Sequence, residues 1–139
     1  MKREEINIRD PFVLVYDGKY YLYGTRGATC WGEADGFDCY VGTNLEEFEG
    51  PFDVFYRPET FLPHKNYWAP EVYVYEGAFY MFATFFTDGV GRGTHCLRAD
   101  SPLGPFIPHS DGSLTPKEWD SLDGTLYVDT DGTPYMVFC

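Results

Sequence analysis

Apolar and polar residues alternate in short runs along most of the chain, and turn residues separate the runs. Residues 13–16 and 20–23 are two such runs, and Asp17-Gly18-Lys19 lies between them. This alternation predicts β-strands, and an Asp-Gly pair between two runs predicts a hairpin whose glycine takes a positive φ. Helical periodicity is rare, and a single helical turn with a threonine cap is predicted only at residues 115–119. The chain is therefore predicted to be all-β.

The same hairpin occurs three times, each time with an acidic residue followed by glycine in its turn. The turn glycines are Gly18, Gly77 and Gly132, so the copies repeat at steps of 59 and 55 residues. Two of the copies begin with an aspartate, which is Asp10 in the first and Asp123 in the third. Equivalent positions in repeats around one axis would let these two carboxylates share a site.

Further strands are predicted after the first two hairpins. A segment with Cys39 or Cys96 supplies a third strand, and a Gly-Pro-Phe segment marks a short fourth strand. Four-stranded antiparallel sheets that repeat every 40 to 60 residues or so are typical of a β-propeller. The predicted blades cover about residues 8–56, about 68–110 and, for the start of a third, about 123–139. The two cysteines are predicted to be buried thiols rather than a disulfide.

About two and a half blades do not close a propeller, since propellers typically have at least four. The sequence also stops within an apolar strand at residues 135–139. The chain is therefore expected to be part of a longer protein. The remaining blades would come from the rest of that protein or from other chains, and this chain alone is expected to be inactive.

The net charge is −12, from 22 acidic and 10 basic residues. This balance argues against nucleic acid and anionic membranes as partners, because both need a basic surface. No run approaches the roughly 20 apolar residues of a membrane span, and no signal peptide is recognisable, so a cytoplasmic location is expected. The three histidines are scattered and the four cysteines lack zinc-site spacing. No metal site is predicted from them.

Several aromatic and charged residues are predicted to lie at the same end of the propeller as Asp10 and Asp123. In an antiparallel meander alternate loops share a face, and by this count the set is Trp31, His64, Trp68, Arg92 and Trp119. Aromatic rings stack on the apolar faces of sugars, and carboxylates bind hydroxyls or transfer protons. This face is predicted to bind a sugar; packing between blades is the alternative for each tryptophan.

These motifs together resemble glycoside hydrolase family 43. The resemblance is carried by residues 9–12 (RDPF), 67–71 (YWAPE), 99–106 (ADSPLGPF) and 122–128 (LDGTLYV), in this order and spacing. It runs from about residue 7 to the end. It implies a five-bladed propeller with an axial pocket, and inverting hydrolysis of arabinose- or xylose-containing glycans, as by an α-L-arabinofuranosidase or β-xylosidase.

The resemblance also implies roles for individual residues. Asp10 matches the general base, and Asp123 matches the aspartate that orients the general acid and raises its pKa. That acid is a glutamate of a later blade, so Glu71, in the second-blade motif, does not match it. The expected substrate-binding residues are Trp68, Trp31, Glu71, Arg92 and His64. No cofactor is required; some family members hold a structural calcium ion in the axial channel, for which no ligand is assigned here.

Two other functions remain open from the sequence. One is a propeller that binds arabino- or xylo-oligosaccharides without catalysis. The other is a protein-interaction propeller in which Asp10 and Asp123 are turn residues. Such repeats carry recurring Gly-His and Trp-Asp marks, whereas this sequence has no Gly-His and a single Trp-Asp, at residues 119–120. The sequence does not distinguish arabinose from xylose, or exo from endo action.

Overall fold

A computed structural model describes the whole chain, Met1–Cys139, and its regular structure is almost entirely strand. The ten strands are β1 (Ile8–Tyr16), β2 (Lys19–Arg26), β3 (Gly36–Gly42), β4 (Glu49–Tyr56), β5 (Lys65–Tyr75), β6 (Ala78–Thr87), β7 (Gly91–Ala99), β8 (Ile107–Pro108), β9 (Thr125–Val128) and β10 (Pro134–Val137). Two single-turn 3-10 helices lie at Arg3–Glu5 and Gly27–Thr29. No helix is long and apolar enough to span a membrane.

The strands form two four-stranded meanders and one hairpin. The first sheet has the order β1-β2-β3-β4, the second has the order β5-β6-β7-β8, and β9 pairs with β10. All pairings are antiparallel. The prediction of a partial propeller made of four-stranded antiparallel blades is thus confirmed.

The predicted helical turn at residues 115–119 does not form. The segment contains only a hydrogen-bonded turn, in which the Trp119 N–H donates to the Pro116 carbonyl at 3.1 Å. The Thr115 hydroxyl, expected to act as a helix cap, instead lies 2.8 Å from the Ser113 hydroxyl. It also accepts the backbone N–H of Thr94 at 3.4 Å, so the threonine side chain is engaged by Ser113 and by β7 rather than by the start of a helix.

An aromatic core packs the first sheet against the second. Its central rings are those of Phe37, Phe55, Phe61, Tyr67 and Phe85, which are all buried. The closest pair is Tyr67 and Phe85, whose ring centroids lie 4.6 Å apart in an edge-to-face arrangement. Such pairs contribute about 0.5–1.5 kcal/mol each beyond the area they bury. This core fixes the position of β1 relative to β5, and both strands carry candidate site residues.

A buried hydrogen bond joins the two sheets, and two buried cysteines occupy matching strand positions. Tyr23 is fully buried, and its hydroxyl donates to the Pro102 carbonyl at 2.6 Å, which joins β2 to the segment after β7. Cys39 and Cys96 are buried and unpaired, as predicted. Burial raises the pKa of the Cys39 thiol to about 12 and that of Cys96 to about 11, so both are unreactive at neutral pH.

Candidate active site

The same backbone kink occurs within the first strand of the two four-stranded sheets and just before the first strand of the hairpin β9-β10. Asp10, Ala69 and Asp123 have φ angles of 49°, 47° and 56°, in the left-handed region that side chains other than glycine rarely adopt. The pairing register of β1 with β2 shifts between Arg9 and Phe12, around the first kink. Strain of this kind costs on the order of 1–3 kcal/mol per residue and is concentrated at functional sites. Its recurrence at three equivalent positions marks this end of the sheets as a candidate site.

The first and third kinks meet at a cleft of about 160 Å³. The residues that line the cleft are Arg9, Asp10, Thr25, Cys30, Trp31, Trp68, Leu122 and Asp123. The structure therefore brings together both predicted catalytic aspartates and two of the predicted sugar-binding tryptophans. Residues from all three sheets contribute to one surface.

The two tryptophans form an aromatic wall of the cleft. The ring centroids of Trp31 and Trp68 lie 5.7 Å apart at an interplanar angle of 77°. The Trp68 indole N–H donates to the Cys30 carbonyl, which fixes the orientation of its ring. Trp31 is 73% exposed and offers its surface to a ligand. A wall of this kind suits the apolar face of a sugar ring.

A guanidinium group stands at each end of the aromatic wall. The Arg9 Cζ lies 5.0 Å from the Trp31 ring centroid, and the Arg92 Cζ lies 5.4 Å from the Trp68 ring centroid. Arg92 is also paired with Asp120, its Nε donating at 3.0 Å. This pairing holds the Arg92 side chain at the edge of the wall. Arg9 forms no ion pair and keeps its donors available beside Asp10.

Asp10 is held by a buried threonine. Thr25 is only 1% exposed, and its hydroxyl donates to Asp10 Oδ2 at 2.8 Å. The same Thr25 oxygen accepts the N–H of Ala69 at 2.8 Å. Asp10 Oδ1 has no hydrogen-bond partner in the protein. One oxygen of the carboxylate is thus oriented by the fold, and the other is free to meet a ligand or a water molecule.

The surroundings of Asp123 disfavour a negative charge on its carboxyl group. Burial raises the pKa of Asp123 above its usual value, and the charges of Asp10 and Glu71 raise it further. Its backbone N–H donates to the Thr84 hydroxyl at 3.0 Å. The two aspartates and Glu71 are therefore close enough to interact electrostatically, as acid–base groups of one site would.

The other predicted site residues lie outside the cleft lining. The Glu71 carboxylate accepts a hydrogen bond from the Tyr73 hydroxyl, and burial raises the pKa of Tyr73 to about 12. His64 lies with its Nε2 3.2 Å from Asp88. Trp119, the third tryptophan of the predicted face, packs on Phe138 with a centroid distance of 6.1 Å.

Sequence reasoning did not single out the threonines that support the kinks. Thr25 and Thr84 are 59 residues apart, which is the spacing of the first two hairpins, and both are buried. Each accepts the backbone N–H of the kinked residue in the next repeat, Ala69 for Thr25 and Asp123 for Thr84. The repeat spacing contained the signal, because a buried polar residue that recurs with the repeat must have a recurrent partner.

No three or more His, Cys, Asp or Glu side chains of the chain are grouped so that they would hold a metal ion.

Residues 5–139 match the sequence model of a family described as Glycosyl hydrolases family 43. No curated protein matches the chain significantly.

Solved structures show the same relationship. The chain is 37% identical to an endo-arabinase from Bacteroides thetaiotaomicron, with a TM-score of 0.87; the match covers 100% of this chain and 47% of the arabinase. It is 29% identical to a thermostable family-43 glycoside hydrolase, with a TM-score of 0.80, and this match covers 95% of this chain and 41% of the hydrolase. It is 31% identical to an endo-1,4-β-xylanase from B. thetaiotaomicron, with a TM-score of 0.71, and this match covers 96% of this chain and 43% of the xylanase. The chain thus spans less than half the length of these proteins.

Proposed function

This chain belongs to the glycosyl hydrolases of family 43, and we propose that it supplies the general base and the sugar-binding wall of an inverting glycosidase. One observation carries the proposal. Asp10 and Asp123, at equivalent kinks of different sheets, line the same cleft as Trp31 and Trp68. Carboxylates beside exposed aromatic rings combine proton transfer with recognition of a sugar face.

In the proposed reaction Asp10 removes a proton from a water molecule, and the water attacks the anomeric carbon. The free oxygen Oδ1 is suited to this step, since Thr25 occupies Oδ2. A protonated carboxyl on the opposite side of the sugar gives its proton to the leaving oxygen. In inverting enzymes the two carboxyl groups stand about 6.5–9.5 Å apart, which leaves room for the water. We assign the acid to a glutamate of a further blade, not to a residue of this chain.

Asp123 has a supporting role in this proposal. A second carboxylate near the general acid disfavours the charged form of that acid and so keeps it protonated near neutral pH. Asp123 already lies close enough to Asp10 and Glu71 for their charges to act on it. A carboxyl at this position also orients its neighbour through a hydrogen bond when either group is protonated.

The proposed substrate is an oligosaccharide that contains arabinose or xylose. The structures that resemble this chain at about 30% identity or more include one described as an endo-arabinase and one described as an endo-1,4-β-xylanase. The match to the arabinase is higher in both identity and TM-score. An arabinose-containing glycan is therefore the first substrate to test.

The test uses Asp10→Asn in the complete protein that contains this chain. Nitrophenyl arabinofuranoside and xyloside, together with arabinan and xylan oligosaccharides, are the substrates. Loss of a general base lowers kcat by about 10²–10⁴-fold, and the melting temperature should change little. Asp17→Asn is the matched control, because Asp17 is an exposed turn residue at the other end of β1.

Two outcomes would contradict the proposal. If Asp10→Asn keeps the kcat of the wild-type protein, Asp10 is not the base. If the wild-type protein binds these oligosaccharides in calorimetry but hydrolyses none of them, it is a carbohydrate-binding propeller rather than a glycosidase.

A further inference from the structure

We propose that Thr25 is a positioning residue for the general base, and that its hydroxyl sets the carboxylate of Asp10 relative to the aromatic wall. The inference rests on the proposed function of Asp10. Thr25 lines the cleft but is only 1% exposed, and its hydroxyl proton is directed to Asp10, so its proposed effect is exerted through Asp10.

The directions of the two hydrogen bonds of Thr25 follow from the chemistry of its partners. The Ala69 N–H is a donor, so it uses a lone pair of the Thr25 oxygen. An ionised carboxylate only accepts hydrogen bonds, so the single hydroxyl proton of Thr25 points to Asp10 Oδ2. Both distances are 2.8 Å, and Thr25 itself is buried, so its hydroxyl is held between these two partners.

This arrangement ties the base to the second sheet. Ala69 follows Trp68 directly in the chain, so Thr25 connects Asp10 to the backbone next to the ring of the aromatic wall. A sugar stacked on that wall would then present its anomeric carbon at a fixed distance from the free oxygen Oδ1. Small errors in such a distance are costly, because a misplacement of about 1 Å reduces turnover on the order of 100-fold.

The second sheet provides an internal comparison. Thr84 occupies the position of Thr25 in the repeat and accepts the N–H of Asp123 at 3.0 Å. The residue that corresponds to Asp10 in that sheet is Ala69, which has no carboxylate. The bond to the backbone of the next sheet is therefore common to both threonines, whereas the bond to a carboxylate is specific to Thr25. The first is a feature of the architecture, and we assign the second to catalysis.

The experiment compares Thr25→Val, Thr25→Ser and Thr84→Val in the complete protein, with nitrophenyl arabinofuranoside or xyloside as substrate. Thr25→Val should lower kcat about 10- to 100-fold and change KM less than about threefold, because the base is misplaced while the aromatic wall remains. Thr25→Ser keeps the hydroxyl and should restore kcat to within about threefold of wild type. Both Thr25→Val and Thr84→Val should lose thermal stability, since each loses the acceptor of a backbone N–H, and Thr25→Val should lose at least as much because it also loses the bond to Asp10.

The inference is overturned if Thr25→Val keeps kcat within twofold of wild type, or if Thr25→Ser loses as much kcat as Thr25→Val. If Thr25→Val does not fold, Thr25→Ala replaces it with the same expectations. Asp10→Asn, measured in the same assay, distinguishes the role of Asp10 from that of Thr25. Full activity of Asp10→Asn refutes the proposed function, whereas an inactive Asp10→Asn beside a fully active Thr25→Val refutes only the role of Thr25.

Discussion

The hydroxyl of Tyr23 is predicted to stabilise the contact between the first two sheets, and Tyr23→Phe removes that group alone. Tyr23 is fully buried on β2, and its hydroxyl donates to the Pro102 carbonyl at 2.6 Å. The bond joins residues 79 positions apart in the sequence. Because the phenyl ring stays in place, the substitution leaves almost no cavity, and its cost comes from the hydrogen bond.

The magnitude follows from the burial of the acceptor. A typical hydrogen bond contributes about 0.5–1.5 kcal/mol net, but a buried partner left without a bond costs about 1–3 kcal/mol. Pro102 is buried, so its carbonyl has no ready replacement for the lost donor. The free energy of unfolding should therefore fall by about 1–3 kcal/mol. In a protein of this size or larger this corresponds to roughly 2–4 °C in melting temperature for each kcal/mol.

Thermal and urea unfolding followed by circular dichroism measure this change. Tyr21→Phe is the matched control, because Tyr21 is buried two residues earlier on the same strand and its hydroxyl has no hydrogen-bond partner. Its unfolding free energy should stay within about 0.5 kcal/mol of wild type. Equal stability of the two variants would show that the Tyr23 bond does not stabilise the sheet contact.

Two further predictions concern pH. Burial, and then the charges of Asp10 and Glu71, raise the pKa of Asp123, so stability is lost as the pH rises from the unfolded-state value, about 3.9, through the folded-state value. Asp123→Asn should raise the melting temperature at pH 7, and its difference in melting temperature from wild type should shrink towards pH 3. The same substitution should lower kcat. A variant whose melting temperature at pH 7 is no higher than that of wild type would refute the stability prediction. Burial lowers the pKa of His95 to about 4, so the unfolded state takes up a proton first as the pH falls below about 6.5. Stability should decline from there to about pH 4, and urea midpoints of His95→Gln should depend less on pH in this window; parallel profiles would contradict the assignment.

The elements that local sequence signals control were predictable. Alternating residues around Asp-Gly or Glu-Gly pairs fix both strands and the turn of a hairpin within about 15 residues, so the meanders could be counted from the chain. The position of Trp119 was less predictable. It was expected on the face that carries Asp10, and the sequence did not indicate that its ring packs on Phe138 in the last residues of the chain. A count of alternate loops assigns an end of the sheet and does not say which neighbour a long loop contacts.

The sequence by itself determined the repeat, the antiparallel sheets and the equivalence of Asp10 and Asp123, because strand periodicity and turn chemistry act over short distances. Only the tertiary structure decided what surrounds these aspartates. The bond from Ala69 to Thr25 spans 44 residues, and the two aspartates lie 113 residues apart in the sequence. Such contacts depend on how the sheets pack around their aromatic core, and that packing is a property of the assembled chain rather than of any segment.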